Sequence, residues 1–162
     1  MQWVLDLFVA GIPAPQGSKR HVGDGVMIES CERLGDWRSV MAWSAANAYR
    51  DDTGRRLPPL TGAVVLVAEF VMPRIKSLPK RKPTPPHTKR PDVDKLLRSV
   101  GDAMKAVVWA DDSQLVEITG TKRYAEPDEQ PGAHLLVGER GPAELAEAAL
   151  EPAAVDEGGA AA

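Results

Sequence analysis

The stretch that most constrains this chain is GAVVLVAEFVM, residues 62–72, an almost unbroken run of β-branched and apolar side chains with one charge, Glu69. Such a run reads as a well-buried strand. At Pro73 it breaks into PRIKSLPKRKPTPPHTKR, residues 73–90, with five prolines, seven Lys or Arg and no acid. Proline lacks the amide proton that a helix interior or a central strand requires, so this segment reads as a long exposed loop. Loops of that length inside compact domains are often functional or disordered.

The flanking sequence supplies the remaining elements. Residues 2–10 place Trp3, Leu5, Leu7 and Val9 on one side of a strand. GIPAPQGSKRHVGDG follows and reads as a loop. Asp36 is placed to cap a helix whose stripe is Trp37, Val40, Met41, Ser44, Ala45 and Ala48. After Pro91 a second helix is expected, with Leu96, Leu97, Val100, Met104, Val107 and Val108 buried. Residues 114–125 read as a strand, and 133–138 as its partner across the turn EPDEQPG. The order β-α-β-α-β-β gives one α+β domain, a mixed sheet of about four strands with two main helices, over residues 1–140. Residues 141–162 form an acidic Ala/Gly-rich tail, expected to be partly disordered.

Composition excludes several classes of function. The chain has 162 residues, 43% hydrophobic and 27% charged, as expected of a soluble domain with a core of its own. No run approaches a membrane span, and the N-terminus has no basic segment before its apolar residues, so no signal peptide is read. The lone Cys31 excludes an internal disulfide and a cysteine zinc site, and suits a reducing cytosol. His21, His87 and His134 are too scattered for a metal motif. The net charge of −3 is uneven: residues 139–162 alone carry −5, which leaves +2 on residues 1–138. A mildly basic body with one strongly basic loop suits a nucleic-acid partner, although a solvated loop accounts for the charge equally well.

The acids beside that loop raise the sharper question. In KRPDVDKLLR, Asp92 and Asp94 lie two apart at a helix entry, where extended side chains can converge on one point. Downstream, WADDSQ places Asp111 and Asp112 at the mouth of the next strand. Spacing alone does not say whether that mouth returns to the helix start or stays at the far end. If the two meet, they offer the hard oxygen ligands that Mg²⁺ prefers. Each feature also has a structural explanation. Asp94 suits an N-cap, Asp94–Arg98–Asp102 a surface ladder, and Asp111–Asp112 a turn.

The run RPDVDKLLRSVGDAMKAVVWADDSQLVEITGTKRY resembles the signature of the RusA family of Holliday-junction endodeoxyribonucleases. It resembles that family's Pro-Asp-x-Asp entry, its helix with a basic residue, its Asp-Asp-x-Gln stretch and its strand lysine. GIPAPQGSKRHV is similar to the family's N-terminal Gly-x-Pro-x-Pro-x-Gly loop with its basic residues. The resemblance covers most of residues 1–138.

The resemblance implies a Mg²⁺-dependent enzyme, with Mn²⁺ able to substitute, that cuts four-way DNA junctions as a homodimer. A phage or prophage origin in a bacterial cytoplasm is implied too, with no small-molecule cofactor and no membrane partner. It implies that Asp92, Asp94 and Asp112 are metal-binding and catalytic, supported by Asp111, with Arg98 where the family usually has Lys. DNA contacts are expected from Lys19, Arg20, Lys80, Arg81, Lys82, Lys89, Arg90, Lys95 and Lys122. Lys95 stands where the family usually has Asn. A nuclease with a PD-(D/E)-x-K core would need an acid-x-Lys that Glu117-Ile118-Thr119 does not supply. A non-catalytic branched-DNA-binding protein is the alternative that Lys95 and Arg98 suggest.

Overall fold

A computed structural model describes residues 1–17, 31–78 and 83–141 in full, and the backbone of 19–21 and 27–29. The elements are β1 (Gln2–Ala10), β2 (Lys19–His21), β3 (Met27–Glu29), α1 (Leu34–Ala48), β4 (Ala63–Met72), α2 (Val93–Met104), β5 (Leu115–Tyr124) and β6 (Gly132–Arg140). A single 3₁₀ turn, Asp112–Gln114, precedes β5. The expected α+β architecture is present: a mixed four-stranded sheet with two helices. The tail from residue 142 onward lies outside the described residues.

The sheet order is β1-β6-β4-β5. β4 pairs parallel with β5 and antiparallel with β6, which also pairs antiparallel with β1. A parallel pair needs a crossover, and α2 supplies it. The residue 62–72 run is therefore an interior strand, with Val64, Leu66, Phe70 and Val71 fully buried. β6 is not the hairpin partner of β5. Its connection passes β4 and inserts it between β1 and β4, where Ala133, Leu135 and Val137 are buried. Their apolar side chains suit an interior strand better than an edge.

Three local expectations are corrected. A register shift between Trp3 and Leu5 turns Val4 toward the core and leaves Trp3 across Gly138 on the other face. Trp3 therefore does not share the face of Leu5, Leu7 and Val9. The segment read as one loop after β1 contains β2, which pairs antiparallel with β3 just beyond its end. In α1 the helix begins at Leu34 after Arg33, so Asp36 sits in the first turn instead of capping it. Val40 faces solvent, and Leu34, Trp37, Met41 and Ala45 form the buried stripe.

The core lies between one sheet face and the two helices. Trp37 and Met41 of α1 meet Leu96, Val100 and Met104 of α2 over Leu66 and Phe70. α2 ends at Met104, so Val107 and Val108 follow the helix, yet Val108 and Trp109 remain fully buried. Leu97 packs directly over Gly120 of β5, where a Cβ would fall 2.7 Å from its Cδ1. Glycine at 120 thus lets the helix approach the edge strand closely.

Candidate active site

The N-terminal end of α2 is built around a cis Arg90–Pro91 bond. The helix begins at Val93 with Asp92, not Asp94, in the N-cap position, extended at φ −74° and ψ 143°. The Asp92 carboxylate accepts no hydrogen bond from the helix amides, although that of an N-cap Asp ordinarily does. Its carboxylate is exposed and meets Lys95 Nζ at 3.3 Å. Asp94, in the first turn, is exposed and makes no hydrogen bond or ion pair among the described residues. The Asp94–Arg98–Asp102 ladder does not form: Asp102 pairs instead with Arg38 of α1, at 3.8 Å.

Two other segments hold this helix start in place. Lys122, near the end of β5, donates to the carbonyls of Lys89 and Pro91 at 2.7 and 2.6 Å, clamping the turn that leads to Asp92. From the other side, the Gln16 amide donates to the Lys95 carbonyl at 2.9 Å. The next residue, Gly17, has φ +99°, and a Cβ there would lie 2.8 Å from Arg98 Nη1. Glycine at 17 therefore permits both the backbone turn and the seating of the Arg98 guanidinium against it.

Asp111 and Asp112 lie elsewhere. Asp111 Oδ2 meets Lys105 Nζ at 2.6 Å, and Lys105 is the residue that closes the C-terminal end of α2. The Lys105 hydrogen bond and the Ser113 amide hold the Asp111 carboxyl well below the usual carboxylate range. Asp112 Oδ1 accepts from Trp109 Nε1 at 3.0 Å. The twelve residues of α2 span about 18 Å. Along β5, Leu115 to Lys122 spans about 23 Å. Both rulers put the two acidic pairs at opposite ends of one helix. Among the described residues, no three metal-ligating side chains of one chain come together.

The family model for the endodeoxyribonuclease RusA matches residues 10–132. The chain belongs to the RusA endodeoxyribonuclease family. The match takes in the Gly11–Gly17 loop, α2, both acidic pairs and β5, which are the parts that frame this site. No curated protein matches the sequence significantly. Among the described residues, no helix is long and apolar enough to cross a membrane.

The expected DNA-contacting residues of this RusA-family chain fall into three groups. Lys89 and Arg90 are exposed beside Asp92. Lys95 and Lys122 are also there, but Lys95 pairs with Asp92 and Lys122 spends two of its three protons on backbone carbonyls. Lys80, Arg81 and Lys82 lie outside the described residues, and of Lys19 and Arg20 only the backbone of β2 is described. Sequence reading missed the Lys105 partner of Asp111, since nothing in spacing links a helix end to an acid six residues on. It also passed over His87, buried at 8% exposure and packed at a tilt against Tyr124 with centroids 4.4 Å apart.

Proposed function

We propose that the chain is a Mg²⁺-dependent, structure-selective endodeoxyribonuclease that resolves four-way DNA junctions as a homodimer. The observation that carries the reading is the state of Asp92 and Asp94. One occupies an N-cap position without capping, the other has no described partner, and both face solvent beside Lys89 and Arg90. Leaving a capping bond unmade forgoes stability that Asp at that position commonly supplies. That suits carboxylates kept for a ligand.

The donor set fits a hard divalent cation, but among the described residues one chain brings just two carboxylates, Asp92 and Asp94, to this end. A second copy supplies the rest. β5 is an edge strand whose free side, among the described residues, carries one bridge, Pro86 opposite Arg123, and it exposes Val116 at 51% and Ile118 at 47%. Antiparallel pairing of two β5 strands about Ile118 lays their α2 helices side by side in opposite directions. Each Asp92–Asp94 pair then stands beside Asp111–Asp112 of the second copy. Asp92, Asp94 and Asp112 of the second copy would hold the Mg²⁺.

Bound there, the ion supplies a water of lowered pKa and charge to stabilise a phosphoryl transition state. The protein's own groups perform the rest. Arg98, seated against Gly17, presents a guanidinium to a phosphate oxygen, and Lys122 fixes the turn that aims Asp92. Lys89 and Arg90 engage neighbouring phosphates and position the strand without reading its sequence.

A second reading is favoured by one contact, the 3.3 Å Lys95–Asp92 pair, which places a cation where a metal would bind. On that reading the chain binds branched DNA without cutting it. Purified protein with Mg²⁺ should cut synthetic four-way junctions well ahead of linear duplex, and Asp92→Asn should end cutting while binding persists. Binding without cutting by the unaltered chain supports the second reading. Equal cutting of junction and duplex removes junction selectivity.

A further inference from the structure

Beside Asp92 opens a cleft of about 900 Å³, within the range of sites that take small molecules or single nucleotides. Asp92, Lys89 and Arg90 at its edge serve the ion and the phosphates, and the rest of its lining is not needed for either. Its mouth is apolar, with Ile12 and Ile75 exposed at 41% and 38%. Pro13, Pro15 and Met72 extend the apolar lining. Its charged lining is cationic, with Arg33, Lys89, Arg90 and Lys95 against the single acid Asp92.

His87 also lines the cleft. The residue is more than nine-tenths buried, and its ring packs tilted against that of Tyr124, closing one wall with aromatic surface.

These features together describe what the cleft accepts: something flat and largely apolar, with an attached anion. We infer that the cleft receives an unpaired DNA base, extruded from the strand beside the phosphate that faces Asp92. The inference rests on the endonuclease reading and extends it. The apolar walls, with the rings of His87 and Tyr124, take the faces of the base, and Lys89 and Arg90 hold the flanking phosphates. Extrusion costs least where a base is already unstacked, as at the crossover of a four-way junction. The cleft would therefore add to the preference for junctions over linear duplex.

The test uses the full chain and four-way junctions carrying 2-aminopurine at each position around the cut in turn, with Ca²⁺ in place of Mg²⁺. A several-fold rise in fluorescence is expected at one position adjoining the scissile phosphate and not on linear duplex. Ile75→Trp, which fills the mouth, should suppress that rise. A second measurement needs no altered cleft residue. Cys31 is the chain's sole cysteine and lines the cleft, so a base at that position bearing an activated disulfide tether should cross-link to it. The same tether one helical turn away should not. If junctions are bound and cut while fluorescence is uniform and cross-linking indifferent to position, the cleft takes no base and the nuclease reading stands. If junctions are not bound at all, both fall together.

Discussion

Lys105 and Asp111 meet at 2.6 Å across the C-terminal end of α2, which fixes the second acidic pair a helix length from the first. A site made of both pairs must therefore be shared between two chains, and mixing can reveal it. Neither Asp92→Asn nor Asp112→Asn should cut alone. In a mixed dimer, one shared site carries both substitutions and the other carries neither. Mixed protein should nick one strand of the junction. Inactivity of every mixture, with heterodimers verified by mass, would mean that each chain builds its site alone.

The free side of β5 gives a separate test of the same assembly. Ile118 lies in register with Leu66, on the face that carries Leu97, and is half exposed. Ile118→Lys places a charge where two copies would meet and should yield a monomer in sedimentation, with the thermal midpoint of the chain changed by only a few degrees. Cutting should fall with dimer content. A dimer that survives the substitution places the interface elsewhere.

Lys95 competes for the Asp92 carboxylate. Lys95→Asn should lower the Mg²⁺ concentration needed for half-maximal cutting and weaken junction binding modestly, because one cation near phosphate is lost. A Mg²⁺ requirement that does not move would show that the ion pair opens without cost when metal arrives.

Gly17 and Arg98 form a matched pair. Gly17→Val introduces a side chain at φ +99°, at a cost on the order of 1–3 kcal/mol, and forces the guanidinium away. Cutting should drop by more than stability explains when measured well below the midpoint. Arg98→Ala should cost about 100-fold in rate if the guanidinium meets the phosphate in the transition state. Arg98→Lys should retain most activity. Equal losses from Lys and Ala would mean that the fork geometry, and not the charge, matters.

His87 ties stability to pH. Burial, with the nearby charges of Lys122 and Lys89 adding to it, lowers its pKa from an ordinary value near 6.5. The unfolded chain then binds the proton more readily than the folded one. The stability due to neutral His87 is complete above about pH 6.5 and is lost as pH falls below it. Urea midpoints should decline between pH 7 and pH 5, and His87→Gln should flatten that part of the curve. An unchanged slope would show that the imidazole titrates freely.

Much of the local structure was legible in the residues. The run at 62–72 reads as a buried strand from its β-branched residues, and the helix after Pro91 followed from its apolar spacing. The acidic pairs were visible as pairs. Misreadings came where partners are distant in sequence. Residues 133–138 resemble the return strand of a hairpin, but pairing on both sides was decided by the apolar face that β6 offers to β1 and β4. Asp94 resembles an N-cap, but that position falls to Asp92, two residues earlier.

What the sequence determined by itself is the inventory: one α+β domain, a basic proline-rich loop and four carboxylates in two pairs with their expected chemistry. What only the tertiary structure decided is where those pairs stand. Side-chain spacing specifies neighbours within a turn or a strand, whereas the separation of Asp92 from Asp112 is set by the rigid lengths of α2 and β5 and by the parallel register that joins β5 to β4.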